Sequence, residues 1–184
     1  MKTVGVLALQ GDFEAHRKAI EKAGANAREV RTAAQLESCD GLIIPGGEST
    51  TMLKLLEMEK LTEPLRQFAA AKPVFGTCAG AILLAHSVSN PAQQSLNILD
   101  IDVERNAYGR QVDSRVARIE TSDGQMEAVF IRAPIIRRTG PQTRVLATYL
   151  GDPVWIEQGM HMATTFHPEL SYTSAVHRRF VERL

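Results

Sequence analysis

The stretch Pro73-Val74-Phe75-Gly76-Thr77-Cys78-Ala79-Gly80-Ala81-Ile82-Leu83-Leu84-Ala85 decides how this chain folds. A short apolar strand runs into Gly-x-Cys-x-Gly, and a helix of small and apolar residues follows without a linker. A strand that turns straight into a helix strains the residue at the corner, and glycines two before and two after it relieve the crowding. This is a nucleophile elbow with sulfur in place of oxygen. It holds Cys78 out at the top of a sheet, points the positive end of the helix at the thiol and lets the Ala79 amide donate to an oxyanion. Taken alone, the stretch reads equally well as a core cysteine at a tight turn.

Outward from the elbow, the first half alternates strands and helices. Val4 to Leu9 is an apolar run, Phe13, His16, Ile20 and Ala23 recur at helical spacing up to Gly24, and Ala27 to Val30 is again strand-like. Gly41-Leu42-Ile43-Ile44 ends in Pro45-Gly46-Gly47, a helix opens near Ser49-Thr50, and another spans Leu61 to Ala71. Strands joined by helical crossovers imply a parallel sheet covered on both faces. The second half has alternating runs at Ile98–Val103, Val116–Ile119, Met126–Ile131, Val145–Tyr149 and Met160–Phe166. Asp123-Gly124 and Gly151-Asp152-Pro153 signal hairpins between strands with one wetter face, and Ser174–Arg183 closes the chain as a helix. With no repeat and no Pro/Gly/Ser linker, residues 1–184 read as one α/β domain.

Composition narrows the function. The 184 residues are 44% hydrophobic and 23% charged, the proportions of a globular protein. Lys plus Arg and Asp plus Glu both count 21, so no bulk field collects nucleic acid or an anionic membrane. The amino-terminal apolar run stops at Gln10-Gly11-Asp12 without a cleavage site, and no later run spans a bilayer, which places the chain in the cytoplasm. Cys39 and Cys78 are too few for a disulfide framework. Cys39 lacks a glycine frame and reads as structural.

A cysteine nucleophile needs a base, and Phe166-His167-Pro168-Glu169-Leu170 offers one. In an extended segment residues two apart share a side, so Glu169 can orient the His167 imidazole while Pro168 stiffens the link. The other histidines, His16, His86, His161 and His177, have no adjacent carboxylate and read as structural, with His86 closing a helix. Pro45-Gly46-Gly47-Glu48-Ser49-Thr50-Thr51 resembles a phosphate loop without its lysine, and Glu48 repels phosphate. Its glycines suit a backbone oxyanion donor and Glu48 suits an ammonium group, against a plain turn with Ser49 as helix cap. No Cys-x-x-Cys or His-x-x-x-His spacing supports zinc, so no metal is expected. Arg137-Arg138 and Arg178-Arg179 read as solvated pairs.

Together the three segments resemble the class I glutamine amidotransferases, which carry a Cys-His-Glu triad on a flavodoxin-like fold. The likeness is closest to the branch of glutaminase subunits of pyridoxal phosphate synthase. It is carried by Leu9-Gln10-Gly11, Pro45–Thr51, Phe75–Gly80, Val103-Glu104-Arg105-Asn106-Ala107-Tyr108-Gly109-Arg110-Gln111, Phe130-Ile131-Arg132-Ala133-Pro134 and Phe166–Leu170. The resemblance implies a three-layer α/β sandwich, its central sheet mainly parallel, with antiparallel strands added from the second half. It implies Cys78 as nucleophile, His167 as acid and base, and Glu169 as its orienting partner. Gly47 and Ala79 would supply oxyanion N–H groups, and Gly47, Glu48, Ser49, Arg105, Ile131 and Arg132 would contact L-glutamine. Arg105 and Arg132 take their roles from the resemblance alone, although a guanidinium fork suits an α-carboxylate. No cofactor is implied, and the partner is a synthase subunit that receives ammonia for pyridoxal 5'-phosphate (vitamin B6) synthesis. The rival readings are a glutaminase for another synthase, a cysteine peptidase or deglycase on the same fold, and a non-catalytic binding module. Asn90–Ser95 reads as an irregular loop.

Overall fold

The computed structural model describes residues 1–107 and 114–184. The Tyr108–Gln111 part of the arginine-rich motif therefore lies outside the described residues. In chain order the first half forms β1 (Thr3–Leu7), α1 (Phe13–Lys22), β2 (Asn26–Val30), α2 (Ala33–Glu37), β3 (Gly41–Ile44), α3 (Ser49–Met58) and α4 (Thr62–Ala71). Then come β4 (Val74–Thr77), α5 (Ala79–Leu84), β5 (Ala85–Ser89), β6 (Leu99–Glu104), β7 (Ser114–Thr121), β8 (Gly124–Ile131) and β9 (Ile135–Thr139). The chain closes with β10 (Arg144–Tyr149), β11 (Asp152–Gln158), β12 (His161–Thr164), a 3-10 turn at Pro168–Leu170 and α6 (Ala175–Val181).

The main sheet has the order β2-β1-β3-β4-β12-β11-β10-β7-β8. Its first five strands are parallel, and every pairing from β12 onward is antiparallel. Strand alternation divides the core between two faces. Leu42, Ile44, Val74 and Ala163 join the side chains of α2 to α5 and the small sheet β5-β6-β9, whereas Ile43, Phe75 and Met162 join α1 and α6. The result is a mainly parallel, three-layer sandwich with antiparallel strands added by the second half, as the resemblance implies. In such a sheet ligands bind beyond the carboxyl ends of the parallel strands, and the loops after β1, β3, β4 and β12 meet there.

Four elements were not read from the sequence. The short helix α2 buries only Leu36 and is held by a capping box in which Thr32 and Gln35 satisfy each other's backbone amides. Helix α5 stops at Leu84, so His86 lies in β5 and contacts Asn97 rather than closing a helix. Strand β11 is a continuous apolar run, Val154 to Ile156, that carries no alternation. Strand β9 contains Arg137 and Arg138, which are not simply solvated: they pair with Glu104, Asp100 and Asp102 on β6 and with Asp152. Arg179 likewise pairs with Glu157.

Candidate active site

Cys78 stands between β4 and α5 with φ 50° and ψ −107°, a strained backbone that persists only where its surroundings fix it. Its N–H donates to the Thr164 carbonyl at 2.9 Å, tying the corner to β12. Both framing glycines are needed for close backbone approach. A Cβ on Gly76 would lie 2.5 Å from the Gly80 carbonyl group, and one on Gly80 would strike the Ile44 carbonyl. The elbow is thus wedged between two strands of the parallel sheet, with Cys78 only 7% exposed.

His167 arrives from the neighbouring β12, and its N–H donates to Val129 O at 2.8 Å. Beyond it the segment is not extended, contrary to the expectation from the two-residue spacing. Pro168 opens a 3-10 turn, and the turn brings Glu169 Oε1 to 2.7 Å from His167 Nδ1. Burial opposes charge on His167, but interaction with Cys78 and with Glu169 outweighs it and raises the imidazole to about 10. With Nδ1–H committed to the carboxylate, Nε2 is the nitrogen left for proton exchange.

These groups open on a cleft of about 440 Å³. Gly47, Glu48, Ser49 and Ala79 line one part of it with Cys78, and Arg105, Ile131, Arg132 and His167 another. Every substrate and oxyanion residue expected from the sequence is therefore at this cleft. The Cys78 thiol points toward the Ile131 carbonyl at 3.9 Å. Glu48, not Ser49, caps α3, accepting from the amides of Thr50 at 3.2 Å and Thr51 at 2.7 Å. Burial would raise its carboxyl, but these donors, with the Thr51 hydroxyl, hold it down at about 2. Glu48 also pairs with Arg105 at 3.1 Å, so the expected ammonium and carboxylate receptors face each other.

Gln10 and Gly11 explain the amino-terminal motif, for which no role was read from the sequence. Gln10 Oε1 accepts from the Glu48 amide at 2.9 Å. Gly11, at φ 95°, packs so tightly on the Gly46 carbonyl that a Cβ would strike it. Gly46 in turn makes room for the His167 ring, whose Cε1 would lie 2.5 Å from a Cβ there.

The largest departure from the sequence reading is at His16 and His177. Both are buried, on α1 and α6, and His16 does have a carboxylate neighbour: its Nε2 lies 3.4 Å from Glu169 Oε2. His16 Nδ1 is 2.9 Å from His177 Nε2, and Thr77 Oγ1 is 3.2 Å from His16 Nε2. Helical spacing alone marks His16 as core-facing and gives no sign of a partner 153 residues away, an interval obtained as 169 minus 16. Among the described residues no cluster of three or more His, Cys, Asp or Glu side chains is arranged to hold a metal.

The family model of the SNO glutamine amidotransferase family matches residues 6–184. Pyridoxal 5'-phosphate synthase subunit PdxT of Solibacter usitatus is 57% identical over 192 aligned positions that cover 100% of both chains. The protein of that name from Koribacter versatilis is 53% identical, covering 97% of this chain and 94% of its own. A crystal structure of a glutamine amidotransferase superposes with a TM-score of 0.92 at 44% identity, covering 98% of this chain and 97% of that one. PurLQS from Thermotoga maritima, at 14% identity and TM-score 0.68 over 99% and 96% of the chains, shares the fold.

Proposed function

The chain belongs to the SNO glutamine amidotransferase family, and from that membership we propose that residues 1–184 form one glutaminase domain in which Cys78, His167 and Glu169 hydrolyse L-glutamine. The ammonia goes to a partner synthase subunit for pyridoxal 5'-phosphate synthesis. The observation that carries the residue assignment is an elbow thiol and an imidazole at one cleft, the imidazole backed by a buried carboxylate, beside the facing charges of Glu48 and Arg105.

Glutamine enters between those two charges. Its α-ammonium replaces the guanidinium beside Glu48, and its α-carboxylate takes the Arg105 fork, so both receptors stay paired while the carboxamide reaches Cys78. Such a clamp suits a free amino acid and has no use in a peptidase. Ser49, Ile131 and Arg132 complete the wall around the substrate. The Cys78 sulfur attacks the carboxamide carbon, and the Gly47 and Ala79 amides donate to the oxyanion. His167 Nε2 gives its proton to the departing ammonia, leaving a thioester on Cys78. Water then attacks the thioester carbon while His167 takes its proton, the carbon–sulfur bond breaks, and glutamate leaves. Glu169 holds Nδ1–H throughout and stabilises the imidazolium. These side chains complete the reaction without a cofactor.

No helix among the described residues is long and apolar enough to cross a membrane, and the cytoplasm is the setting that fits two free thiols. The test is ammonia release from glutamine with and without the synthase subunit, together with labelling by a glutamine-like electrophile. Release should require Cys78 and the label should sit on it. Label on Cys39, or turnover of peptides in preference to glutamine, would overturn the reading.

A further inference from the structure

Two buried histidines lie behind the triad and take no part in the reaction just described. His16 occupies the core-facing stripe of α1 with Ile20, and His177 that of α6 with Val176 and Phe180. Packing alone asks for apolar side chains at both places, because a buried polar group is costly unless it is hydrogen-bonded. His177 faces His16, and His16 faces Glu169. One of its oxygens holds His167, and the other, Oε2, is buried without a hydrogen bond among the described residues. His16 Nε2 stands 3.4 Å from it. Catalytic contacts of this kind are often loose in the free enzyme and tighten when the transition state forms.

The tautomers follow from counting donors. If Thr77 donated to His16 Nε2, a lone pair would face the carboxylate, His16 Nδ1–H would donate to His177, and His177 Nδ1–H would be left buried without an acceptor. The opposite arrangement puts His16 Nε2–H toward Glu169 Oε2 and Thr77 Oγ1 and has His16 Nδ1 accept from His177 Nε2–H. At His177 Nδ1, which has no hydrogen-bond partner, a lone pair then stands in place of an N–H, and Glu169 Oε2 gains a facing donor. An orphaned buried acceptor is the more readily tolerated of the two. Both rings are neutral: burial and the nearby His177 and His167 hold His16 well below its ordinary range, and burial brings His177 down to about 4. The contact with Glu169 is therefore a neutral N–H to a carboxylate and not an ion pair.

We infer that His16, oriented by His177, is a positioning residue for the glutaminase reaction: it fixes the second oxygen of Glu169 and so aims the carboxylate at His167 as that imidazole changes charge. The inference rests on the triad assignment above. It extends the line of contact from Cys78 through His167, Glu169 and His16 to His177 at the α1–α6 interface. Outer partners of this type commonly change activity by about tenfold to a hundredfold when removed.

The experiment is steady-state glutamine hydrolysis in complex with the synthase subunit for H16L, H16Q, H177L, E169Q and H16L/E169Q. His16→Leu should lower kcat by about tenfold to a hundredfold with KM for glutamine within about twofold, because no residue of the substrate cleft is touched. His16→Gln keeps an N–H near the position of Nε2 and should recover most of that loss. With an amide at position 169 the His16 donor has no carboxylate to hold, so H16L/E169Q should be no slower than E169Q. Equal kcat for H16L and the unmodified enzyme, or losses that multiply in the double variant, would overturn the positioning role. Should H16L fail to fold, H177L decides: a several-fold loss in kcat alone supports the relay, and an unchanged kcat refutes it. Full activity in E169Q would instead refute the triad assignment, which keeps the two failures distinguishable.

Discussion

The parallel and antiparallel halves of the main sheet use backbone in opposite ways. At the carboxyl ends of β1, β3 and β4 the glycines are close approaches: Gly11 on Gly46, Gly46 on His167, and Gly76 and Gly80 on each other and on Ile44. In the antiparallel half Gly124, Gly151 and Gly159 have positive φ but nothing near the missing Cβ, as in hairpin turns facing solvent. The parallel half packs backbone against backbone and against the His167 ring beside the cleft. The antiparallel half supplies a covering surface and, from the end of β8, the Ile131–Arg132 wall of the cleft. Precision is concentrated where five strands end side by side.

The harshest test of that contrast is Cys78→Ser, which should lower glutamine hydrolysis by about a thousandfold or more, because a hydroxyl replaces an activated sulfur nucleophile. Circular dichroism and thermal melting should be nearly unchanged, and appreciable ammonia release from this variant would remove the elbow from the mechanism. Next comes a matched pair of glycine replacements followed by urea denaturation. Gly80→Ala should cost about 3 kcal/mol or prevent folding, since backbone cannot yield to the new methyl, whereas Gly124→Ala should cost only about 1 kcal/mol of left-handed strain. Similar losses at both would erase the difference between the halves.

Arg105→Ala should raise KM for glutamine by about tenfold to a hundredfold with little change in kcat, as expected for a charged hydrogen bond made equally in ground and transition states. A loss confined to kcat would take Arg105 out of the substrate clamp. The pH profile sharpens the same site. His167 is raised to about 10, so its proton is present through neutral pH and is lost only as pH rises through that value. Activity should accordingly hold through mildly alkaline buffers and fall toward pH 10, and His167 should titrate lower by NMR in Cys78→Ala. The sign for stability is the same: the favourable interactions of protonated His167 are fully present below the unfolded value near 6.5 and fade as pH rises toward 10. An alkaline limb near 6.5 would mean the imidazole is not held charged.

Cys39→Ser should have the smallest effect. Burial pushes the Cys39 thiol up, and its side chain donates to Gln35 O at 3.3 Å, an acceptor a serine hydroxyl also reaches. Glutaminase rates should match the unmodified enzyme, and any large loss would make Cys39 more than a core thiol.

Local patterns made much of this legible. Gly76, Cys78 and Gly80 sit within five residues, and their steric logic is complete in that span. His167 and Glu169 are two apart, so their pairing was foreseen although the turn that achieves it was not. Arg105 and Arg132 were named only through resemblance, because an isolated arginine carries no periodic or spacing signal. Strand β11 was missed since a continuous apolar run looks alike in helix and strand, and α2 because five residues hold too few turns to show a period.

The sequence by itself determined the elbow, the parallel half and the candidates for nucleophile and base, because each is written in neighbouring residues whose steric and chemical requirements are local. Tertiary structure alone decided that Glu48 faces Arg105, that Gln10 holds the Glu48 amide, and that His16 stands behind Glu169. Those contacts join segments 57, 38 and 153 residues apart, intervals given by the position numbers. No local pattern specifies such a distance. It is set when the strands align side by side and, for His16 and Glu169, when the helices α1 and α6 close over one face, burying polar groups that must then find partners in each other.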